Sequence, residues 1–477
     1  MTIDALVAEI GSTTTVINAF DRLDSDEPVF LGQGQAPTTV EAGDVSQGLQ
    51  EALASLRKQL GVSELSWRKM LASSSAAGGL RMTVHGLVYD MTVRAAREAC
   101  LGSGGVLKYV TSGKMRKSDL RKIEEIRPNI IFVAGGTDYG ERDTALFNVE
   151  LLMQNFPDIP LVYAGNIANH EDIADLAQEY GVRIHITENV YPSLDELNIL
   201  PARGLIHEVF QENIVHSPGM EHIRDLVDGA IMPTPGAVME AAMLLQAYLG
   251  DLLVMDIGGA TTDLHSVAEN NPNNVEYMLQ GEPFAKRTVE GDLGVFVNRF
   301  QVYEQFSDSE KHQAGDLQEA LAKMPKIPQT TEEIKLAESL AHKAAALALE
   351  RHVGYWTELY TVSGMQRFIK GKDLSGIRYA IGTGGALTRL PQGGQILRQV
   401  LEKPRRKLLL PNEQVEVALD HDYIMASLGV LSTTWPQAAL RLLMQSLRLD
   451  SREQARVEAQ LRQNEKEVSY AESLPEN

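Results

Sequence analysis

Two short stretches of this 477-residue chain repeat one chemical pattern: Glu9-Ile10-Gly11-Ser12-Thr13-Thr14-Thr15 and Asp256-Ile257-Gly258-Gly259-Ala260-Thr261-Thr262-Asp263. Each delivers an acidic residue, then Ile-Gly, then a turn of small or hydroxyl-bearing residues. Glycine lets backbone N–H groups approach a phosphate closely, hydroxyls add donors, and an acidic side chain can hold hydrated Mg²⁺ beside a polyphosphate. Gly11, Ser12, Thr13 and Thr14 in the first stretch, and Gly258, Gly259, Ala260, Thr261 and Thr262 in the second, are the phosphate-binding candidates. Glu9 and Asp256 are the candidate metal-binding and catalytic carboxylates. One such turn between strands is also ordinary hairpin chemistry, whereas two facing each other would clamp a polyphosphate. A third stretch, Ile381-Gly382-Thr383-Gly384-Gly385-Ala386-Leu387, follows a strand-like run, and its small residues would let a flat ring lie on the backbone at Gly382, Gly384 and Gly385. Its Gly-x-Gly-Gly spacing fails the dinucleotide fingerprint. The three stretches together predict a purine nucleotide bound across a cleft.

The elements that must position these residues are legible around them. Residues 3–10 and 15–20 read as strand, tight turn and strand, and residues 45–60 place Leu49, Leu53, Leu56 and Leu60 on one helical face that packs on the opening sheet. From residue 128 to 192 short apolar runs alternate with helical ones, as parallel β-α-β units do. A helix over 235–249 leads into a strong strand over 252–257, a second edition of the opening strand and turn. Residues 332–348, rich in Ala, Leu, Glu and Lys, predict a long helix. Charged helical sequence after Pro436 is expected to fray from Ser473.

Composition narrows the function. A formal charge of -20 with scattered Lys and Arg opposes polyanion binding, so nucleic acid is not an expected partner, and the basic run 403–407 reads as a solvated loop. Cys100 is the only cysteine, which excludes an intrachain disulfide and a cysteine-built zinc or iron–sulfur site within the chain, and fits a reducing cytoplasm. Residues 1–8 lack a basic start with a long apolar run, and the apolar region 230–255 is broken by Pro233, Pro235, Glu240 and Asp251, so neither secretion nor a membrane span is expected. The eleven histidines form no His-Glu-x-x-His pair, and His421 between Asp420 and Asp422 reads as a surface feature. The stretch Asp263-Leu264-His265 continues to Ala268 where a base-off cobalamin motif requires glycine, so any cobalamin connection runs through a partner.

The order of two phosphate turns and a glycine-rich turn resembles the actin, hexokinase and heat-shock chaperone superfamily over almost the whole chain. Within it the chain is similar to the MutL/GlmL family found with adenosylcobalamin-dependent mutases, unrelated to the mismatch-repair protein of that short name. Four segments carry the likeness: residues 7–15, Ser74-Ser75-Ala76-Ala77-Gly78-Gly79-Leu80-Arg81-Met82, Ala134-Gly135-Gly136-Thr137-Asp138 and residues 256–263. The resemblance implies an α/β fold of two actin-like (ribonuclease-H-like) ATPase domains closing on ATP and Mg²⁺, with the first over 1–127, an inserted α/β subdomain over 128–228, the second over 229–435 with a helical insertion near 300–360, and a helical tail over 436–477. It also implies that Val289-Glu290-Gly291-Asp292-Leu293-Gly294 starts a helix beside the adenosine, so Gly291 and Asp292 join the nucleotide contacts. Its implied function is an ATP-dependent chaperone or reactivating factor for a partner mutase in which damaged cobalamin must be replaced.

Two departures bear on turnover. Where chaperone ATPases carry Glu-Pro-Thr-Ala, this chain reads Met232-Pro233-Thr234-Pro235, and Glu9 stands where the superfamily usually has aspartate. Slow hydrolysis, or nucleotide binding alone, follows unless Glu240 or Asp138 supplies the missing carboxylate. The alternative reading is a small-molecule kinase of the same fold, for which no segment identifies a general base. A third, an electron-donating activator of acyl-CoA dehydratases, is disfavoured by the lone cysteine.

Overall fold

The computed structural model describes residues 1–472 except 12–13, 40–43, 76–79, 104, 195, 214–225, 229–230, 315–316, 362–363 and 403–406, and omits the side chains of 211–213, 312–314, 361 and 464–472. The chain divides into two compact units: Met1–Arg22, Val29–Met239 and Leu279–Arg287 form the first, and Leu23–Pro28, Glu240–Met278 and Thr288–Asn477 the second. Each has its own buried core, with Leu6, Ile17 and Leu56 in one and Leu253, Met255 and Leu340 in the other.

The first unit opens with an antiparallel meander, β1 (Thr2–Ile10), β2 (Thr14–Asp21) and β3 (Val29–Pro37). Helix α1 (Val45–Leu60) follows; the Asp44 carboxylate accepts from Ser46 N at its start, and Gly61, at φ +68°, ends it. Its buried Val45, Leu49, Ala52 and Leu56 recur every three or four residues and pack on β2 and β3. Strand β4 (Ser66–Ser74) then lies parallel to β1.

Next come β5 (Leu80–Gly86), α2 (Arg94–Gly102), β6 (Gly105–Ser112), α3 (Lys117–Ile126), β7 (Ile130–Val133), α4 (Asp143–Asn155), β8 (Leu161–Tyr163), α5 (His170–Tyr180) and β9 (Ile184–Ile186). Their strands form one all-parallel sheet in the order β6-β5-β7-β8-β9. The β-α-β alternation expected from residue 128 therefore starts at Leu80. Strand β6 lies at the sheet edge and is mostly half-buried, so it lacks the continuous apolar run that marks a strand covered on both faces. After α6 (Leu200–Asn213), β10 (Ile231–Pro233) returns to the opening sheet beside β4, completing the order β10-β4-β1-β2-β3.

Helix α7 (Thr234–Leu249) leads to β11 (Leu252–Ile257), β12 (Thr262–Val267) and β13 (Ala285–Glu290). Short helices α8 (Arg299–Glu304), α9 (Asp308–Ala314) and α10 (Gln318–Lys323) precede α11 (Thr331–His352), which a Thr330/Glu333 capping box starts. Then follow a hairpin of β14 (Tyr355–Thr361) and β15 (Gly364–Lys370), β16 (Tyr379–Thr383), α12 (Gly385–Thr388), α13 (Gly393–Glu402), β17 (Glu416–Leu419), α14 (Met425–Leu431), α15 (Pro436–Leu447) and α16 (Ser451–Glu472).

The second unit's main sheet runs β13-β12-β11-β16-β17. Strand β11 is antiparallel to β12 and parallel to β16, as β1 is to β2 and β4, and β17 continues in parallel as β10 does. The chain is thus an α/β protein with two actin-like, ribonuclease-H-like sheets, the first unit carrying an additional parallel α/β layer. Among the described residues no helix is long and apolar enough to cross a membrane.

Candidate functional site

The two repeated turns are built alike. Gly11 N donates to Thr14 O at 3.0 Å to close the β1–β2 hairpin, and Gly258 N donates to Thr261 O at 2.9 Å to close β11–β12. Ile10 pairs with Thr15 and Ile257 with Thr262, which places Glu9 and Asp256 at equivalent strand ends. Thr38 Oγ1 braces the first turn by donating to Gly11 O at 2.8 Å. Ser12 and Thr13 lie outside the described residues. Thr262 is buried and donates its hydroxyl to Leu293 O at 2.8 Å, while Thr261 Oγ1 donates to Asp263 Oδ2 at 3.0 Å.

Strand register extends each acidic residue into a row. In the second unit Asp256 stands opposite Asp263 on one side and Thr383 on the other. Beyond Thr383 comes Asp420, buried at the end of β17, whose Oδ2 accepts from Thr383 Oγ1 at 3.0 Å and Met425 N at 2.9 Å and whose Oδ1 accepts from Ser446 Oγ at 2.6 Å and Ile424 N at 3.2 Å. Sequence reading passed over Asp420 as part of a surface cluster; the signal available was a strand-end acid after a short β run. The equivalent row of the first unit reads Glu9, Ser73, Met232, and Met232 is 3% exposed. The place that holds a carboxylate in one sheet holds a thioether in the other.

The glycine-rich third turn sits directly against the second. Gly384 has φ +81°, and a Cβ there would collide with Asp256 Oδ1 and with the Ile257 backbone. The loop expected to start a helix at residues 289–294 instead wraps the second turn, and α8 begins only at Arg299. Val295 N donates to Gly258 O at 3.2 Å, Phe296 N and Val297 N donate to Gly259 O at 2.9 and 2.7 Å, and Asn298 Nδ2 bridges Ala260 O and Gly291 O at 2.7 and 2.8 Å. These bonds replace the helical ladder, and Gly294 packs so closely that a Cβ would overlap the Ala260 backbone. Arg351, in the last turn of α11, binds Asp292 Oδ1 and Oδ2 at 2.7 and 3.0 Å and Glu290 Oε2 at 2.5 Å. That guanidinium holds the Asp292 carboxyl below the usual range, whereas burial, only partly opposed by Arg351, raises Glu290. Asp256, Asp263, Gly258–Thr261, Gly291, Asp292 and Gly382–Gly385 are therefore assembled in one unit.

The donor set around Asp256 suits a hard cation: all oxygen, with two carboxylates directly opposite across β11 and β12. Among the described residues no three His, Cys, Asp or Glu side chains converge as a preformed metal cage.

Asp138 is committed elsewhere. Its Oδ1 accepts from Ile167 N at 3.0 Å and Asn189 Nδ2 at 2.9 Å, so it braces the turn after β7. Cys100 is fully buried, and burial pushes its thiol well up.

The sequence pattern of the family described as MutL protein matches residues 5–447. The chain is 36% identical over 461 residues to Protein MutL of Clostridium tetanomorphum, covering 93% of this chain and 98% of that protein. Among solved structures it is similar to a nucleotide-free acetone carboxylase (TM-score 0.37, 11% identity, 90% of this chain and 70% of that one). It is also similar to diol dehydratase-reactivating factor in nucleotide-free form (TM-score 0.32, 10% identity, 91% and 99%). The fold rests on the repeated strand order and not on likenesses at these scores.

Proposed function

This chain belongs to the MutL protein family, and on that premise we propose that it is an ATP-binding, slowly hydrolysing chaperone or reactivating factor for an adenosylcobalamin-dependent mutase. The observation that carries the nucleotide reading is the pair of equivalent glycine turns, each following a strand-end carboxylate. In this reading Gly11 and Gly258 close the two turns through their own N–H groups, the N–H groups of Gly259 to Thr261 and of Ser12 to Thr14 cradle phosphates, Asp256 and Glu9 hold Mg²⁺, and Gly382, Gly384 and Gly385 form the platform for the base, with Gly291 and Asp292 beside the nucleoside. Bound with the nucleotide, Mg²⁺ would neutralise phosphate charge. The buried Met232 at the row position of a carboxylate supports slow turnover, because no acidic group there can orient a water. A nucleotide that binds open and closed states unequally can convert binding into work on a partner, and a long-lived bound state suits that task. The mutase as partner follows from family resemblance, and a cytoplasmic setting from the single cysteine, Cys100.

Replacing Asp256 by Ala and measuring ATP affinity and phosphate release separately tests the assignment. We expect Mg²⁺-dependent ATP affinity to fall at least tenfold, about 1.4 kcal/mol, with the fold intact by circular dichroism. Unchanged affinity would remove the second turn from the site. Phosphate release stimulated by a sugar or carboxylate substrate instead of a mutase would favour the kinase reading.

A further inference from the structure

The parallel sheet β6-β5-β7-β8-β9 has the strand order 2-1-3-4-5 of a doubly wound fold, whose carboxyl edge is the usual place for recognition. Four of the five loops at that edge expose large apolar side chains: Val88 and Tyr89 after β5, Tyr139 after β7, Ile167 after β8 and Leu194 after β9. Tyr139 is 83% exposed and Leu194 74%. Soluble surfaces rarely gather apolar groups this way without a use.

The loops bearing these side chains are rigidly braced. Asn166, fully buried, accepts through Oδ1 from Tyr139 N at 2.9 Å and from Ala168 N at 3.0 Å. Asn189 Nδ2 donates to Gly136 O and Asp138 Oδ1, both at 2.9 Å, and Asp138 N donates to Pro192 O at 2.9 Å, which ties the segment after β9 across the edge. Tyr139 is held at φ +60°, a conformation costly for an aromatic residue. Strain kept in place to present an exposed ring points to an interaction. At the loops after β5 and β9, Met91, Tyr191, Leu194 and Leu197, with Asp90 and Arg94, line a cavity of about 140 Å³ closed by Gln280 and Gly281, room for one inserted side chain.

Charge states the partner's chemistry. Among the described residues, the loops after β5, β7, β8 and β9 and the first turns of α2, α4 and α5 carry exposed Asp90, Glu141, Asp143, Glu171, Asp172, Glu188 and Glu196 against exposed Arg142, paired with Asp172, and half-buried Arg94 and Arg97, the former paired with Glu282. The loop after the outermost β6 is basic instead, with Lys114, Arg116 and Lys117. A second copy of this chain would bring two acidic rims together, which opposes self-association.

We propose that this edge is the docking surface for the partner mutase, rests on the mutase reading above, and meets a mutase patch of apolar side chains bordered by Lys and Arg, one of which enters the cavity beside Leu194. The test uses the full chain and a purified adenosylcobalamin-dependent mutase of the glutamate type. In Tyr139→Gly the ring is removed and the backbone strain relieved, so a merely structural Tyr139 leaves binding untouched and thermal stability equal or higher. Docking predicts that stability result together with a mutase affinity at least tenfold weaker, a further loss in Tyr139→Gly/Leu194→Ser, and a wild-type affinity that falls with added salt. A photo-crosslinker at position 139 should capture the mutase, and one at position 158, on the opposite edge of the sheet, should not. Wild type and Tyr139→Gly binding equally well would overturn the docking edge while leaving the mutase reading standing. Crosslinks from position 139 to another copy of this chain would overturn the edge in favour of self-association, and a wild type that binds no mutase would overturn both.

Discussion

At the scale of single residues, the glycines sort into those the fold needs and those it leaves open. Gly384 and Gly294 are wedged against Asp256 and Ala260, so alanine there should unfold part of the second unit and report nothing about ligands. Gly385 and Gly291 have open space where a Cβ would go. Gly385→Ala should therefore leave the unfolding midpoint within a degree or two, yet weaken ATP binding about tenfold if a purine ring lies on that backbone. Calorimetric melting beside a nucleotide titration separates the two; an unaltered affinity would dismiss Gly385 from the platform. The glycine pattern was readable in sequence because glycine is chosen for what it lacks. Its partition was not, since whether space beside a backbone is filled depends on residues such as Asp256 that arrive from another strand.

At the scale of elements, the loop over residues 290–298 is fastened to the turn between β11 and β12 by main-chain bonds and to α11 by Arg351. Both ends of that ion pair are partly exposed, so its value for global stability is small. Its local effect is what should be visible. In Arg351→Gln, hydrogen exchange at the amides of Val295, Phe296 and Val297, which bond to Gly258 and Gly259, should quicken several-fold while that of β11 holds. Equal exchange in both proteins would mean the loop is held without Arg351. Strands β1 and β11 and helices α1 and α11 were legible because strong apolar periodicity survives tertiary packing. The loop does not start a helix because the backbone donors of Val295, Phe296 and Val297 are taken by carbonyls 37 and 38 positions away, a competition no local propensity records. Strand β6 and the early start of the parallel sheet were missed for the complementary reason, since a half-exposed edge strand carries little apolar signal.

Across the whole molecule, the two units should answer acid differently. His85 is fully buried between Thr111 Oγ1 and Thr83 Oγ1, and burial pulls its pKa down to about 3; burial likewise takes His207 to about 4. Both histidines belong to the first unit. The unfolded chain takes up protons at these sites below about 6.5 while the folded unit refuses them, so stability is full above that value and falls as pH drops toward 4. Each unbalanced proton costs roughly 1.4 kcal/mol per pH unit. Glu98, raised by burial, takes up a proton in the folded unit and offsets part of the loss. In the second unit burial lowers His421 in the same sense, but that histidine is exposed and its loss is small, and burial raises Glu290, which opposes it; Asp292 and Glu310 are held low, Glu310 at about 2, so their contributions fade only below the ordinary carboxylate range. Denaturant titrations between about pH 7 and 5 should therefore show the Trp67 signal of the first unit weakening before those of Trp356 and Trp435, and His85→Gln should flatten the trend. Coincident transitions at every pH would contradict it.

The segmented course of the chain also sets a schedule during translation. Arg287, almost wholly buried, donates to the carbonyls of Leu101 and Gly105 from a segment that is synthesised last in its unit. A ribosome adding about 5–20 residues each second needs on the order of ten seconds or more to reach it after α2 has emerged. Until then the carboxyl end of α2 lacks its guanidinium, and the nascent first unit must wait for part of the second to be made before it can close.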